Sequence, residues 1–161
     1  MNAIYRCIMI ALPVLVGVGP GLAGERTIAG PIRAEVTKVR DGDTVEVIAH
    51  IWPQQTVQVA VRLRGIDTPE KRGKCAVEKE AALQARDRLR ELVEGKTIQL
   101  IDISGDKYFG RVLASIQTED TGDVSRQLLE DGLAVRYNGK TKQDWCAHLT
   151  RHRIWPFKRA G

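Results

Sequence analysis

The chain has 161 residues, with 25 Lys and Arg against 20 Asp and Glu, and a formal net charge of +5 at pH 7. This length supports one domain with a sizeable core, and the sequence shows no repeat or low-complexity tract that would indicate a repeat protein. A charge this modest is compatible with a polyanionic partner but is also ordinary for soluble proteins, so charge alone selects no function.

The first 23 residues differ from the rest and predict a signal peptide. Met1 to Arg6 carry one positive charge, the apolar run "CIMIALPVLVGVG" follows, and "PGLAG" supplies small residues for a peptidase near Ala23 or Gly24. A retained membrane anchor is the alternative, but the run is short for a bilayer and no stop-transfer segment follows. We therefore expect an exported protein, periplasmic or secreted, of residues 24–161 with a formal charge of +4, no stable membrane association and a monomeric state.

Two cysteines remain after cleavage, Cys75 and Cys146. In an oxidising compartment they suggest one disulfide, and two free thiols are the alternative. A zinc site that adds His148 and His152 is a third interpretation, although the C-x-H-x3-H spacing is not a standard one.

Alternating β-branched residues predict five strands. "AEVTKVRDGDTVEVIAH" predicts a hairpin that turns at Asp41-Gly42, and "TVQVAVRLRGI" predicts a third strand on which Arg62 faces away from the Val/Leu row. "KTIQLIDI" and "RVLASIQ" predict two further strands, joined by the turn "SGDKYFG".

Two segments predict helices. A period of three to four residues from Val77 to Glu94 predicts one long helix that Gly95 ends, and "DVSRQLLEDG" predicts a short one that Asp123 caps. This order predicts an α+β, mainly β fold: a five-stranded oligonucleotide/oligosaccharide-binding (OB) barrel, with the long helix between strands three and four and the short helix after strand five. The domain core is expected at about residues 33–147, with a loosely held basic tail at 148–161.

Two clusters of oxygen-bearing side chains suggest a site for a hard cation. They are Asp41-Gly42-Asp43-Thr44 and Asp67-Thr68-Pro69-Glu70, on separate elements. An EF-hand does not fit, because its glycine and its bidentate glutamate would fall on Glu46 and Trp52. Taken singly, the first cluster is also a hairpin turn and the second is also a helix start.

Two arginines, Arg62 and Arg111, favour a functional site over a simple hairpin turn and helix start. Bidentate guanidinium groups and a divalent ion stabilise the charge that develops on a phosphodiester attacked by water, and a carboxylate such as Glu70 can orient or deprotonate that water. Surface ion pairs are the ordinary alternative for either arginine.

The motifs "VRDGDTV", "VRLRGIDTPE", "DKYFGR" and "LLEDGLA" occur in this order, and together they resemble the thermonuclease family, the staphylococcal-nuclease-like domains. The resemblance runs from about Ala34 to Tyr137. It implies hydrolysis of DNA and/or RNA with Ca²⁺ on an OB barrel, leaving 5′-hydroxyl and 3′-phosphate ends. It also implies the following roles: Asp43, Asp67 and the Thr68 carbonyl as metal ligands; Glu70 at the attacking water; Arg62 and Arg111 at the phosphate; Lys107, Tyr108 and Tyr137 at the substrate.

The chain departs from the family pattern in two places. Phe109 is an extra residue after the turn tyrosine, and the C-terminal helix is short or missing in "TKQDWCAHLTRHRIWPFKRAG". A Cys75–Cys146 bridge that pins this end near the long helix is a hypothesis. A domain of the same fold that binds nucleic acid or a partner without cutting is the alternative function, although such a module would have no reason to keep Glu70.

Overall fold

The computed structural model describes residues 27–152. The expected signal peptide and the end of the basic tail lie outside the described residues. The strands are β1 (Thr27–Ile28), β2 (Ile32–Asp41), β3 (Thr44–Trp52), β4 (Gln55–Leu63), β5 (Ile66–Asp67), β6 (Thr97–Gly105), β7 (Arg111–Thr118), β8 (Gly122–Asp123) and β9 (Val135–Arg136). The helices are α1 (Ala76–Val93), α2 (Val124–Glu130) and α3 (Trp145–His152).

Five long strands close into a barrel, as the alternating segments predict. The order is β6-β2-β3-β4-β7, and β7 pairs back onto β6 to complete the circle. The β4–β7 contact is parallel and the others are antiparallel. The predicted OB architecture, with the long helix between the third and fourth long strands, is therefore confirmed.

The barrel is filled by the inward-facing half of each alternating pattern. Val45, Val47, Val61, Ile98 and Ile116 are fully buried. The amphipathic helix α1 adds Leu89 and Val93 to the same cluster. On β4 the alternation is kept at Val61 and Leu63 but fades toward the hairpin end, where Val57 is exposed.

Both helices predicted from their end signals are present. Gly95 follows α1 with φ 71°, and Gly132 follows α2 with φ 73°, the left-handed conformation that glycine adopts without a steric penalty. The Asp123 carboxylate accepts a hydrogen bond from the Arg126 amide at 2.9 Å, which is the predicted N-cap. Within residues 27–152, no helix combines the length and apolar character needed to cross a membrane.

The sequence predicts a loosely held tail from residue 148 onward, but the structure is helical there as far as residue 152. Residues 145–152 form helix α3, and Leu149 is buried with Trp145 and Ala81 in a second, smaller cluster. The sequence pattern gave little indication of this, because an eight-residue helix contributes few apolar positions. A helix is therefore present in the C-terminal segment.

The first hairpin turns one residue later than expected. Asp41 pairs with Thr44, so that Gly42 and Asp43 form the turn. A Cβ atom built on Gly42 would lie 2.7 Å from the Ala85 Cβ and 2.8 Å from the Thr68 Oγ1. The absence of a side chain at Gly42 therefore lets the hairpin tip rest against both α1 and the residue after β5.

Gly42→Ala is expected to lower the free energy of unfolding by roughly 1–3 kcal/mol, because the added methyl group overpacks a contact between three elements. Gly105→Ala is the matched control, since a Cβ atom there meets nothing within 4 Å. Urea unfolding followed by circular dichroism measures both variants. Equal stability of the two variants would contradict this account of the hairpin tip.

Candidate active site

Two buried carboxylates define the centre of the site. Asp43 occupies the β2–β3 turn and Asp67 ends β5, with relative exposures of only 4% and 1%. Burial of a carboxylate is unfavourable unless charge and hydrogen bonds compensate for it. The partners of these two side chains therefore determine what the site can do.

Arg62 is the partner that the two carboxylates share. It lies on β4 directly across from Thr44, and its Nη1 donates to Asp43 Oδ2 at 2.5 Å. Its Nη2 donates to Asp67 Oδ1 at 3.3 Å. Thr44 adds a hydrogen bond from its hydroxyl to Asp43 Oδ1 at 2.8 Å. The fork of one guanidinium thus holds the two acidic clusters together, and both lie where the sequence motifs predict.

The pKa of Asp43 shows that this compensation is incomplete. Burial raises the pKa of Asp43 above its ordinary value, although Arg62 and the Thr44 hydroxyl oppose the rise. For Arg62, burial lowers the pKa, but the charges and hydrogen bonds of the carboxylates outweigh burial and raise it. A further positive charge beside Asp43 would therefore favour its ionised form.

Glu70 lies on the loop between β5 and α1, which a third buried carboxylate, that of Glu78, organises. Glu78 of α1 accepts hydrogen bonds from the backbone amides of Lys74 at 2.9 Å and Glu70 at 3.4 Å. Gly73 lies so close to the Glu78 side chain that a Cβ atom would clash with it at 2.3 Å. The Glu70 side chain itself is half-exposed and forms an ion pair with Lys142.

The β6–β7 turn keeps Arg111 at the site despite the extra residue. Gly110 adopts φ 79°, and Phe109 projects fully into solvent. Arg111 begins β7 beside Ala60 of β4 and forms an ion pair with Asp106. Its guanidinium lies 4.6 Å from the centre of the Tyr108 ring. The extra residue is therefore absorbed by an outward bulge of the turn.

Tyr137 reaches the site through a small second sheet. β9 pairs with β5, and the Tyr137 amide donates to the Gly65 carbonyl at 2.8 Å. Arg64 is also near, but its guanidinium donates to the Asp102 carbonyl and the Ser104 hydroxyl, both at 2.7 Å. Arg64 therefore fastens the end of β4 to β6.

One open cleft of about 710 Å³ collects these side chains. Both carboxylate clusters reach it, the first through Asp43 and the second through Glu70, whereas Asp67 lies behind the lining residues Arg62 and Lys142 and contacts both. Thr68 is buried behind Gly42, and its carbonyl as a metal ligand remains a prediction. The sequence-predicted residues that line the cleft are Asp43, Arg62, Glu70, Lys107, Tyr108, Arg111 and Tyr137.

Two further residues at the site were not predicted. Lys142 Nζ pairs with Glu70 and lies 3.6 Å from Asp67 Oδ1, and Trp145 Nε1 donates to Asp67 Oδ2 at 3.0 Å. Burial lowers the pKa of Lys142, but the hydrogen bond and charge of Glu70 and the charge of Asp67 outweigh burial and raise it. Both residues belong to the C-terminal segment that begins at Thr141, and no sequence motif indicates a role for either of them. The nearby Cys146 is the one sequence signal that could have drawn attention to them.

Cys146 is bonded to Cys75 in the structure, with the Cα atoms 6.1 Å apart. Cys75 is the N-cap residue of α1, so the bridge joins the C-terminal segment to the end of the Glu70 loop. While the two sulfurs are bonded to each other, neither is a thiolate that could hold zinc.

The sequence matches a family model described as staphylococcal nuclease homologue over residues 60–151, more than half of the chain. The chain therefore belongs to this family. An Escherichia coli protein described as an uncharacterized endonuclease is 30% identical over 110 residues, which cover 68% of this chain and 64% of that protein. The micrococcal nuclease of Shigella flexneri is 32% identical over 119 residues, which cover 67% of this chain and 61% of that protein. Each match thus spans less than two thirds of the relative's own length.

The donor set fits a hard divalent cation. Asp43 and Asp67 offer carboxylate oxygens that meet at the same guanidinium, and burial leaves Asp43 in need of more positive charge. Oxygen ligands of this type suit Ca²⁺ and Mg²⁺, and the soft sulfur ligands that favour zinc are engaged in the disulfide.

Arg62→Ala is expected to lower the free energy of unfolding in chelator-containing buffer by about 3 kcal/mol or more, because it leaves a buried carboxylate without its charged partner. The control is Lys96→Ala, which breaks a solvent-exposed pair with Asp120 and should cost less than about 1 kcal/mol. Urea unfolding measures both. A loss at Arg62 no larger than that at Lys96 would show that Arg62 does not stabilise the buried carboxylates.

Proposed function

We propose that this protein is a Ca²⁺-dependent nuclease that hydrolyses phosphodiester bonds of DNA and/or RNA and leaves 5′-hydroxyl and 3′-phosphate ends. The observation that carries the proposal is that the buried Asp43, the half-exposed Glu70 and the two arginines line one cleft, while the buried Asp67 accepts a hydrogen bond from Arg62. Family membership and the relatives that are described as an uncharacterized endonuclease and as a micrococcal nuclease support nuclease activity.

Asp43 and Asp67 would hold the ion, together with the Thr68 carbonyl. A bound divalent cation would supply positive charge next to the phosphate, which stabilises the charge that develops on its nonbridging oxygens. The same ion would neutralise the carboxylates that Arg62 now neutralises. In the proposed enzyme, Arg62 therefore turns from the carboxylates to the phosphate.

Glu70 would orient the attacking water and accept its proton. Its carboxylate is half-exposed, and its backbone is fixed by Glu78, so a water molecule can reach a positioned oxygen. The water oxygen bonds to phosphorus as the bond from phosphorus to the 5′ oxygen breaks. The 5′ oxygen takes up a proton and leaves as the hydroxyl, and the phosphate stays on the 3′ side.

Arg111 would also bind the phosphate. Its pair with Asp106 and its position over the Tyr108 ring restrict the guanidinium, which lowers the entropy lost on binding. Lys107, Tyr108 and Tyr137 line the same cleft and would contact the nucleotides on either side of the cut bond.

Glu70→Gln is expected to lower the rate of single-stranded DNA hydrolysis by about 10²- to 10⁴-fold, because the amide cannot accept the proton. Cleavage by the wild-type protein is expected to require Ca²⁺ and to stop with a calcium chelator. Glu80→Gln is the matched control, since Glu80 is exposed on α1 outside the cleft.

The outcomes of this assay separate the enzyme from a binding module. A folded wild-type protein that binds DNA but never cuts it would contradict the proposal and favour the non-catalytic alternative. Cleavage that Glu70→Gln leaves intact would remove Glu70 from the reaction.

We also propose that the protein is exported, with residues 1–23 removed and Cys75 bonded to Cys146. The sequence pattern of residues 1–23 supports export, and the two sulfurs lie within reach of each other in the folded chain. Oxidised protein from about Gly24 is expected to migrate faster in a denaturing gel than after reduction, because the bridge closes a loop across 71 residues of sequence separation. The mass of the intact chain should be about 2 Da below that of the reduced chain. Free thiols in protein recovered from the periplasm or medium would contradict the bridge.

A further inference from the structure

The two oxygens of Asp67 have different surroundings. Oδ1 accepts from Arg62 at 3.3 Å and lies 3.6 Å from Lys142 Nζ, and both of these cations line the cleft. Oδ2 accepts from the indole N–H of Trp145 at 3.0 Å, and this hydrogen bond is buried. One oxygen is therefore turned toward charged groups in the cleft and the other is held from behind by a neutral donor.

Trp145 is held rigidly in its place. Only 3% of it is exposed, and it packs with Ala81 of α1 and Leu149 of α3. The His148 ring lies edge-on to its indole with centroids 5.4 Å apart. An indole has a single N–H and no acceptor, so its orientation fixes which Asp67 oxygen it binds.

The disulfide holds the segment that carries Trp145. An eight-residue helix is only marginally stable alone, and α3 depends on its contacts with α1. Cys146 follows Trp145 directly and is bonded to the N-cap residue of α1. The covalent attachment at Cys146 is therefore only one residue away from the indole of Trp145.

We propose that Trp145 is a positioning residue for the metal ligand Asp67. Its N–H fixes Oδ2, so that the carboxylate cannot rotate and Oδ1 is presented to the cation. Groups that hydrogen-bond to a metal-ligating carboxylate commonly contribute about 10- to 100-fold in metal affinity. The proposal rests on the proposed cation site at Asp43 and Asp67 and adds a requirement for the C-terminal segment.

The test is Ca²⁺ titration of Trp145→Phe by isothermal calorimetry. Phenylalanine keeps an aromatic ring for packing and removes the N–H, and we expect Ca²⁺ to bind about 10- to 100-fold more weakly than to wild type. Trp52→Phe is the matched control, because Trp52 lies exposed at the end of β3, and it should bind Ca²⁺ as wild type does. A residue that only packs would lower the melting temperature in chelator but leave the dissociation constant of the folded protein unchanged.

The outcomes distinguish this inference from the function on which it rests. Wild-type protein that does not bind Ca²⁺ would overturn the proposed calcium site itself. If wild-type protein and Trp145→Phe bind Ca²⁺ equally well, the role of Trp145 is overturned but the calcium site is not.

A second measurement needs no substitution at Trp145. The three tryptophans give three indole N–H resonances in a ¹H–¹⁵N spectrum, which Trp52→Phe and Trp155→Phe assign by elimination. We expect saturating Ca²⁺ to shift the Trp145 resonance and to leave that of Trp52 in place. An unchanged Trp145 resonance in a protein that binds Ca²⁺ would overturn the proposal.

The anchoring role of the disulfide has its own variant. Cys75→Ser/Cys146→Ser is expected to weaken Ca²⁺ binding in the same direction as Trp145→Phe, because α3 is then held only by Trp145, Leu149 and their neighbours. Wild-type affinity in the double variant would show that packing alone positions the indole.

Discussion

The organisation of the cleft depends on the burial of two carboxylates, Asp43 and Asp67, with one arginine between them. A buried carboxylate must be compensated, and Arg62 compensates both with the two arms of one guanidinium. Because Arg62 lies on β4, its two hydrogen bonds connect β4 to the β2–β3 turn and to β5. Burial raises the pKa of Asp43 even with Arg62 and the Thr44 hydroxyl beside it, and further positive charge next to this carboxylate would favour its ionised form.

The closed barrel brings the remaining groups to the same place. The parallel contact between β4 and β7 sets Arg111 beside Ala60, two residues along the strand from Arg62. The antiparallel pair β5–β9 brings Tyr137 to Gly65. Arg111 and Tyr137 are therefore positioned by strand pairings that backbone hydrogen bonds fix, which keeps the cost of organising this part of the site low.

The C-terminal segment shows how a short piece of chain can take part in such a site. Helix α3 buries only a small cluster with α1, and the Cys75–Cys146 bridge adds a covalent attachment next to it. In the same segment, Lys142 pairs with Glu70 and Trp145 donates to Asp67. The segment thus contributes the ammonium group of Lys142 and the indole N–H of Trp145 to carboxylates that lie more than seventy positions earlier in the chain.

The sequence alone determined the barrel strands, helices α1 and α2 with their caps, and the main residues of the cleft. The strands and helices follow from local signals, namely the period-two and period-3.6 patterns, Gly95, Gly132 and Asp123. The site residues could be predicted from short motifs, namely "DGDT", "DTPE" and the two arginines. Only the tertiary structure decided that Gly42 and Asp43 form the turn, that Phe109 bulges outward, and that Arg64 fastens β6. It also decided that Lys142 and Trp145 reach the carboxylates, because that contact requires α3 to fold back onto α1, and no local pattern encodes a contact between residues so far apart in the chain.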